Sequence, residues 1–515
     1  MPLHEITYRW HYAPSEDLTS FPSTLAGYHV DQSGEDRSLV ELFDSFDQIL
    51  RKTGLVLEFR DQHLSLVDAS DLVSDRIGQQ LDTLSVPIRW QDLPSGYLRS
   101  FLETALDLRA ALPLIRIHIS TRNFDLRNQD RKIVARLTQI AIKPEKSNLH
   151  HSVITLEPLI GYQDDAELIA AAIDDFPNSL PNPPPLLESL LQAIDFPDPP
   201  PKPQNAVTLE PEQSAQEAVL AIARVMVEAA RKNEAGIIDD IDTEFLHDYR
   251  VSIRKLRSVL ALIKGVFPSD ETRKLKSLLG SFAKATNGLR DLDVYLLAEE
   301  SYRSMVPASL RSGLDRVFSD FRKGRSKELL RVRRRLQSKS YQSEAKRLES
   351  FFHQDEPSSA KRSDIPIGEL SAAEIYRHYK LVAKQGAAID QETPDEDVHE
   401  LRIECKKLRY LLELFASLYP ADEIKIIIKS LKRLQNTLGD FNDLSVQQIA
   451  LTNYLQETPN LERKTAAALG GLITRLGVMQ DQRRRSVSKR FVQFNDRDTK
   501  LRFKTLFSPE RKAVS

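Results

Sequence analysis

Two stretches decide how this chain is read: HDYRVSIRKLRSVLALI (247–263) and HELRIECKKLRYLLELF (399–415). Counted from each histidine, basic residues recur at +3, +7, +8 and +10, with leucine at +9. They are Arg250, Arg254, Lys255 and Arg257 after His247, and Arg402, Lys406, Lys407 and Arg409 after His399. Apolar residues at three-to-four spacing make both stretches helices. At about 100° per residue, the +3, +7 and +10 positions fall about 60°, 20° and 80° to one side of the histidine. Each helix therefore carries a narrow cationic stripe headed by a histidine, with the +8 lysine on the opposite flank. Like charges at i,i+4 repel by a few tenths of a kcal/mol, and a solvated face would alternate signs to avoid this. Repulsion kept in two copies points to an anionic ligand that relieves it. The alternative is pairing with acids on neighbouring helices, for which Asp291, Asp293, Asp440 and Asp443 are placed. Those aspartates are expected to cap helix starts or orient arginines.

The duplication extends outward. NGLRDLDV (287–294) follows the first stripe and NTLGDFNDL (436–444) the second. Aligning Asp291 with Asp440 sets Lys276 opposite Lys425, Lys284 opposite Arg433, and Gly439 where the first copy has Arg290. Two matching units in order are an internal repeat. Helical periodicity runs through 212–233, 243–266, 271–287, 291–304, 310–352, 372–390, 397–418, 421–438, 442–457 and 460–491. The segment 355–369 connects two halves, about 207–354 and 370–515.

The N-terminal part reads differently. Residues 55–67 alternate with a turn near 60–63, and 115–119, 133–142 and 153–159 are further strands. Helices are predicted over 39–53, 96–108 and 165–175. The result is an α+β domain over 1–176 with antiparallel strands. A proline-rich linker over 177–206, which includes a short helix at 186–194, joins it to an all-α domain over 207–515. Charge divides the same way: 17 basic against 30 acidic residues in 1–200, but 55 against 44 afterwards. A basic part facing an anionic partner, tied to an acidic part with another role, follows from that split.

The remaining composition narrows the class. One cysteine, Cys405, excludes an internal disulfide framework and a multi-cysteine zinc site, and suits a reducing compartment. Neither histidine has a second His or Cys at i+3 or i+4, so no metal is expected. The N-terminus lacks a signal-peptide pattern and no run of about 18 apolar residues occurs, so the expectation is a cytoplasmic protein off the membrane.

The region from about 207 to 515 resembles a CHAD domain, the conserved-histidine α-helical domain. The two His-x-x-Arg-x-x-x-(Arg/Lys)-Lys-Leu-Arg helices and the LRDLDV and LGDFNDL ends carry the resemblance. It implies two pseudo-symmetric four-helix bundles whose basic helices face a shared groove that binds inorganic polyphosphate. The implied contacts are His247, Arg250, Arg254, Lys255 and Arg257, with His399, Arg402, Lys406, Lys407 and Arg409. Lys276, Lys284, Lys425, Lys432 and Arg433 form a second rank. Such a ligand would also allow association with polyphosphate granules. Nucleic acid offers similar charge, but its readers add aromatic platforms, and the stripes hold only Tyr249 and Tyr410. The basic runs 331–335 and 483–490 either extend the surface or are solvated helix ends.

Residues 1–175 are similar to a CYTH domain of the triphosphate tunnel fold, in the segment LFDSFDQILRKTGLVLEFR (42–60) and in the order of the later strands. The family pattern is degraded. Its Glu-x-Glu-x-Lys stands as Glu5-Ile6-Thr7-Tyr8-Arg9, and its later Glu-x-Glu as Thr155-Leu156-Glu157. Glu58-Phe59-Arg60 replaces an Arg-x-Arg strand. Glu5 and Glu157 with Arg9, Arg60 and Arg116 are a thin set for holding Mg²⁺ and triphosphate. The expectation is a degenerate tunnel-like barrel without catalytic residues or cofactor. The rivals are a metal-dependent triphosphate or polyphosphate hydrolase using that barrel, and a nucleic-acid-binding protein.

Overall fold

The structure is a computed structural model. It describes residues 8–15, 21–72, 77–148, 150–176, 179–180, 184–197, 199, 207–354, 358–390 and 392–508. Two compact units are present, Met1–Pro200 and Pro201–Ser515.

The first unit contains β1 (Tyr8–Ser15), β2 (Thr24–Leu25), β3 (Tyr28–Ser45), β4 (Leu55–Arg60), β5 (His63–Asp68), β6 (Ile77–Gln80) and α1 (Tyr97–Leu106). It continues with β7 (Ala111–Arg127), β8 (Ile133–Pro144), β9 (His150–Pro158), α2 (Gln163–Asp174), β10 (Ser179–Leu180) and α3 (Leu186–Gln192). The strands form one antiparallel sheet in the order β10-β1-β9-β8-β7-β3-β4-β5-β6, with β2 paired to β3. Among the described residues the sheet stays open, with β10 and β6 at its edges. It is compatible with a tunnel-like fold but not closed as a barrel. The expected hairpin at 60–63 is there: Asp61 and Gln62 adopt positive φ of 48° and 63°, the backbone a two-residue turn requires.

Two expectations change in this unit. The segment 39–53 is not a helix, since β3 runs to Ser45 and only Arg51–Thr53 forms a 3-10 turn. Its buried run Leu42, Phe43, Asp44 and Ser45 lacks strand alternation because the register shifts between Leu42 and Phe43, which sends consecutive side chains inward. The Asp44 carboxylate then closes the turn, accepting from the backbone N–H groups of Ser45 (2.6 Å), Leu50 (3.0 Å) and Arg51 (2.8 Å). The short helix inside the proline-rich stretch belongs to the sheet unit. Leu186, Leu187, Leu190 and Leu191 of α3 are buried in a cluster with Val40, Leu42, Ile117 and Ile142. Four leucines on seven residues supply enough apolar surface to dock the segment despite its prolines.

The second unit is helical: α4 (Ala215–Ile238), α5 (Thr243–Leu262), α6 (Ser269–Ala285), α7 (Asn287–Leu297), α8 (Glu299–Met305), α9 (Asp315–Gln337) and α10 (Lys339–His353) form the first repeat. The second repeat is α11 (Ile367–Ala387), α12 (Asp395–Leu414), α13 (Ala421–Glu457), α14 (Arg463–Phe494) and α15 (Arg497–Phe507). Sequence punctuation explains the starts. Ser214 and Glu217 form a reciprocal capping box on α4, and Asp242 caps α5. Ser338 splits the predicted 310–352 helix, because its side chain caps α10 on the N–H of Tyr341. The reverse occurs in the second repeat. The expected break between 438 and 442 is absent, and α13 passes through Gly439 as one 37-residue helix. The first repeat does break, slightly earlier, with Thr286, which aligns with Gln435, between α6 and α7. The two repeats share a core, in which Tyr302, Leu314 and Phe318 pack with Leu451, Leu472 and Leu476.

Candidate functional site

The two stripe helices, α5 and α12, pack against each other. At their crossing Lys255 Nζ lies 3.4 Å from Glu413, and both side chains are almost fully buried, 3% and 6% exposed. Lys255 is therefore not on an open surface. Its flank position turns it into the contact between repeats. The equivalent Lys407 also takes an acid, Glu404, on its own helix. Burial raises the Glu404 carboxyl, but hydrogen bonds from His378 and Lys407 outweigh it and hold the group at about 2. The +8 lysines thus have structural partners, and the +3, +7 and +10 positions form the face that remains.

On that face the repeats bring their cations together. Lys406 is pulled down to about 8, first by burial and then by Arg402 and Arg254, with Asp443 opposing and Arg409 adding to the effect. Arg250 is disfavoured as a cation by burial and then by Arg254. It is fixed by one nitrogen at the α6–α7 junction, donating to Ala283 O (2.9 Å), Thr286 Oγ1 (2.7 Å) and Asn287 Oδ1 (2.8 Å). Arg402 reaches Asp443 at 3.3 Å, and Arg409 lies 3.8 Å from Glu413. Three buried donors in this cluster, Arg290 Nη1, Arg402 Nε and Arg409 Nε, have no hydrogen-bond acceptor among the described residues. Buried donors without acceptors are uncommon in folded proteins.

The two histidines differ. Arg290 Nη2 lies 3.0 Å from His247 Nδ1, and because arginine only donates, that nitrogen accepts. His399 Nδ1 lies 2.7 Å from Asn442 Oδ1, and the Asn442 amide nitrogen is turned toward Asp443 at 3.3 Å. His399 therefore donates through Nδ1. The divergence follows from Gly439, which leaves no side chain where Arg290 stands in the first repeat.

The second-rank residues lie on α6 and α13, the helices packed against α5 and α12 respectively. Arg257 is exposed and lies over α6 at Gly280, where an added Cβ would be 3.8 Å from its guanidinium carbon. Lys276 and Lys284 lie one turn to either side of Gly280. Lys425, Lys432 and Arg433 are exposed on α13. Lys429, not singled out by the repeat alignment, lies on the same helix. It is exposed between Lys425 and Arg433, and the i,i+4 spacing could have found it. The basic runs are largely engaged locally. Arg333 donates to Ile238 O (2.6 Å), Arg335 pairs with Glu344 (2.5 Å) and Arg483 with Asp440 (3.1 Å). The aspartates do orient arginines. Asp293, 1% exposed, holds Arg325 at 2.6 Å together with Asp240, and Asp443 holds Arg402. They do not cap helix starts, because α13 runs unbroken past Asp440 and Asp443.

Residues 221–452 match the family model of the CHAD domain. The helical unit contains a CHAD domain. Among solved structures, this chain is similar to the CHAD domain from the plant Ricinus communis, with 23% identity and a TM-score of 0.47 over 56% of this chain and 95% of that one. It is also similar to PptA from Streptomyces chartreusis, with 15% identity and a TM-score of 0.41 over 55% and 98%. No curated protein matches it.

The CYTH-like set of the first unit is not gathered into one place. Glu5 lies outside the described residues. Arg9 pairs with Asp71, and Arg60 lies 3.6 Å from both Asp36 and Asp61. Arg116 pairs with Glu41 on the opposite face of the sheet from Arg9, Arg60 and Glu157, as the strand registers require. Among the described residues, no three His, Cys, Asp or Glu side chains converge in a metal-holding group. No described helix is long and apolar enough to cross a membrane.

Lys406 makes the site sensitive to pH. A lysine held at about 8 is charged below that value and loses its proton as pH rises through it. Anion binding favours the charged form, so affinity is expected to be full well below pH 8 and to fall as pH rises through it, with less fall in Lys406→Arg. Fluorescence titration of a polyanion between pH 7 and 9.5 checks this. An equal pH dependence in wild type and Lys406→Arg would remove Lys406 as the cause.

Proposed function

We propose that the CHAD domain binds inorganic polyphosphate, without catalysis, along the face formed by Arg250, Arg254, Arg257, Arg402, Lys406 and Arg409 and headed by His247 and His399. The observation that carries this reading is the meeting of both stripes at α5 and α12, where Arg254, Arg402 and Arg409 act on Lys406. A linear polymer with about one charge per phosphate relieves that repulsion and releases counterions. Arginine forks suit phosphate oxygens. Lys276, Lys284, Lys425, Lys429, Lys432 and Arg433 extend the track for longer chains. Lys255 and Lys407 contribute through the positions they hold.

A base-free ligand fits better than nucleic acid. Tyr249 and Tyr410, the aromatics of the stripes, are buried, 1% and 5% exposed, so neither offers a ring for stacking. The test is equilibrium binding of polyphosphate to the full chain at two salt concentrations, with single-stranded DNA as competitor at fixed salt. Steep weakening with salt and poor competition by DNA are expected. Equal competition per charge would return the site to a general polyanion surface. Orthophosphate release with Mg²⁺ in the same samples would bring back the hydrolase reading.

A further inference from the structure

The outer face of the sheet in the first unit, the face opposite α3, carries a second cationic site. The apolar side chains of α1 cover this face at β3–β5, and those of α2 cover it at β8 and β9. Between them a cavity of about 530 Å³ remains open, within the size range of small-ligand sites. Its position follows from register. Leu39 faces His118, and His118 faces Lys143, in one row across β3, β7 and β8. In the next row Arg37 faces Ser120, and Ser120 faces Ala141. Ser120 and Ala141 are small, so the floor is low, while Arg37, Arg122, His118, Lys143 and His150 form the walls.

The charge is unusual for its setting. Residues 1–200 hold 17 basic against 30 acidic groups, yet this cavity gathers three cations and two histidines with one lining acid, Glu145. Glu35 holds Arg37 at 2.8 Å and stands 4.0 Å from Arg122. Among the described residues, no acid lies within ion-pair distance of Lys143, His118 or His150. Lys143 also works against protonation of its neighbour, since His150 is lowered by burial and then by Lys143. This face is opposite to that bearing Arg9, Arg60 and Glu157.

We infer that the outer sheet face binds a small phosphorylated anion, gripped between the Arg37–Arg122 wall and the His118–Lys143–His150 row. Strands advance about 3.4 Å per residue, so Arg122 and His118 start about 14 Å apart on β7 and reach inward to one phosphate or to two linked ones. Leu39, 47% exposed at the rim, gives an organic body an apolar contact. The site is separate from the polyphosphate face and does not depend on that reading.

The experiment uses the full chain with Arg250, Arg254, Arg402 and Lys406 changed to alanine, so that calorimetric signal from the helical face is removed. Inorganic pyrophosphate and phenyl phosphate are titrated separately, and the tighter of the two names the inorganic or organic source. One equivalent is expected to bind, with affinity falling about tenfold in Lys143→Gln and returning in Lys143→Arg. The Arg variant also reports that the fold is intact. Absence of binding by both probes, or equal binding with and without Lys143→Gln in that background, overturns the inference.

Discussion

Changing Arg250, Arg254, Arg402 and Lys406 together to alanine is expected to weaken polyphosphate binding about 100-fold or more. The same change should lower the slope of log affinity against log salt by about three, because four fewer cations release counterions. The four come from both repeats and meet where α5 and α12 pack. Arg254 and Arg402 both act on Lys406, and Arg254 acts on Arg250, so they form one electrostatic group. Their free-protein repulsion is part of the driving force, and removing them removes both attraction and relief. A control with Lys323, Lys327, Lys346 and Arg347, all exposed on α9 and α10, changed to alanine removes equal charge from elsewhere. If both variants lose the same affinity, the ligand responds to net charge and the stripe has no special role.

The second large effect is on stability. Glu413→Ala is expected to destabilise the helical unit by about 3 kcal/mol or more, since it leaves Lys255 buried without its partner and beside Arg409 and Arg254. Replacing both ends, Lys255→Met with Glu413→Leu, should return most of that loss, because two apolar groups remove the uncompensated charge. Denaturant unfolding followed by helical circular dichroism checks both variants. A Glu413→Ala protein as stable as wild type would show that Lys255 reaches water or another acid. The CHAD resemblance implied Lys255 among the ligand contacts. The structure gives it this other partner.

Some of the molecule was legible in the residues themselves. The stripes at His247 and His399 give the helices and the duplication. The hairpin turn at Asp61–Gln62 follows from local chemistry. Other features were hidden for definite reasons. The β3 segment through Ser45 suggested a helix because a register shift turned consecutive residues inward. Gly439 suggested a break in α13, yet a helix packed on α12 and α14 absorbs a glycine that costs about 1 kcal/mol. The 177–206 stretch looked like a linker because prolines dominate it, but the leucines of α3 dock on the sheet.

Sequence alone determined that this chain has an antiparallel α+β part, a duplicated helical part and two cationic stripes, since periodicity and charge spacing are local properties. Tertiary structure decided which cations share one face. Lys255 and Lys407 turned to acids, Arg254 and Arg402 met Lys406, His247 and His399 took opposite hydrogen-bonding roles, and Arg116 went to the other side of the sheet from Arg9. Each of those outcomes depends on a partner distant in sequence, and periodicity says which way a side chain points on its own element but not what stands opposite it.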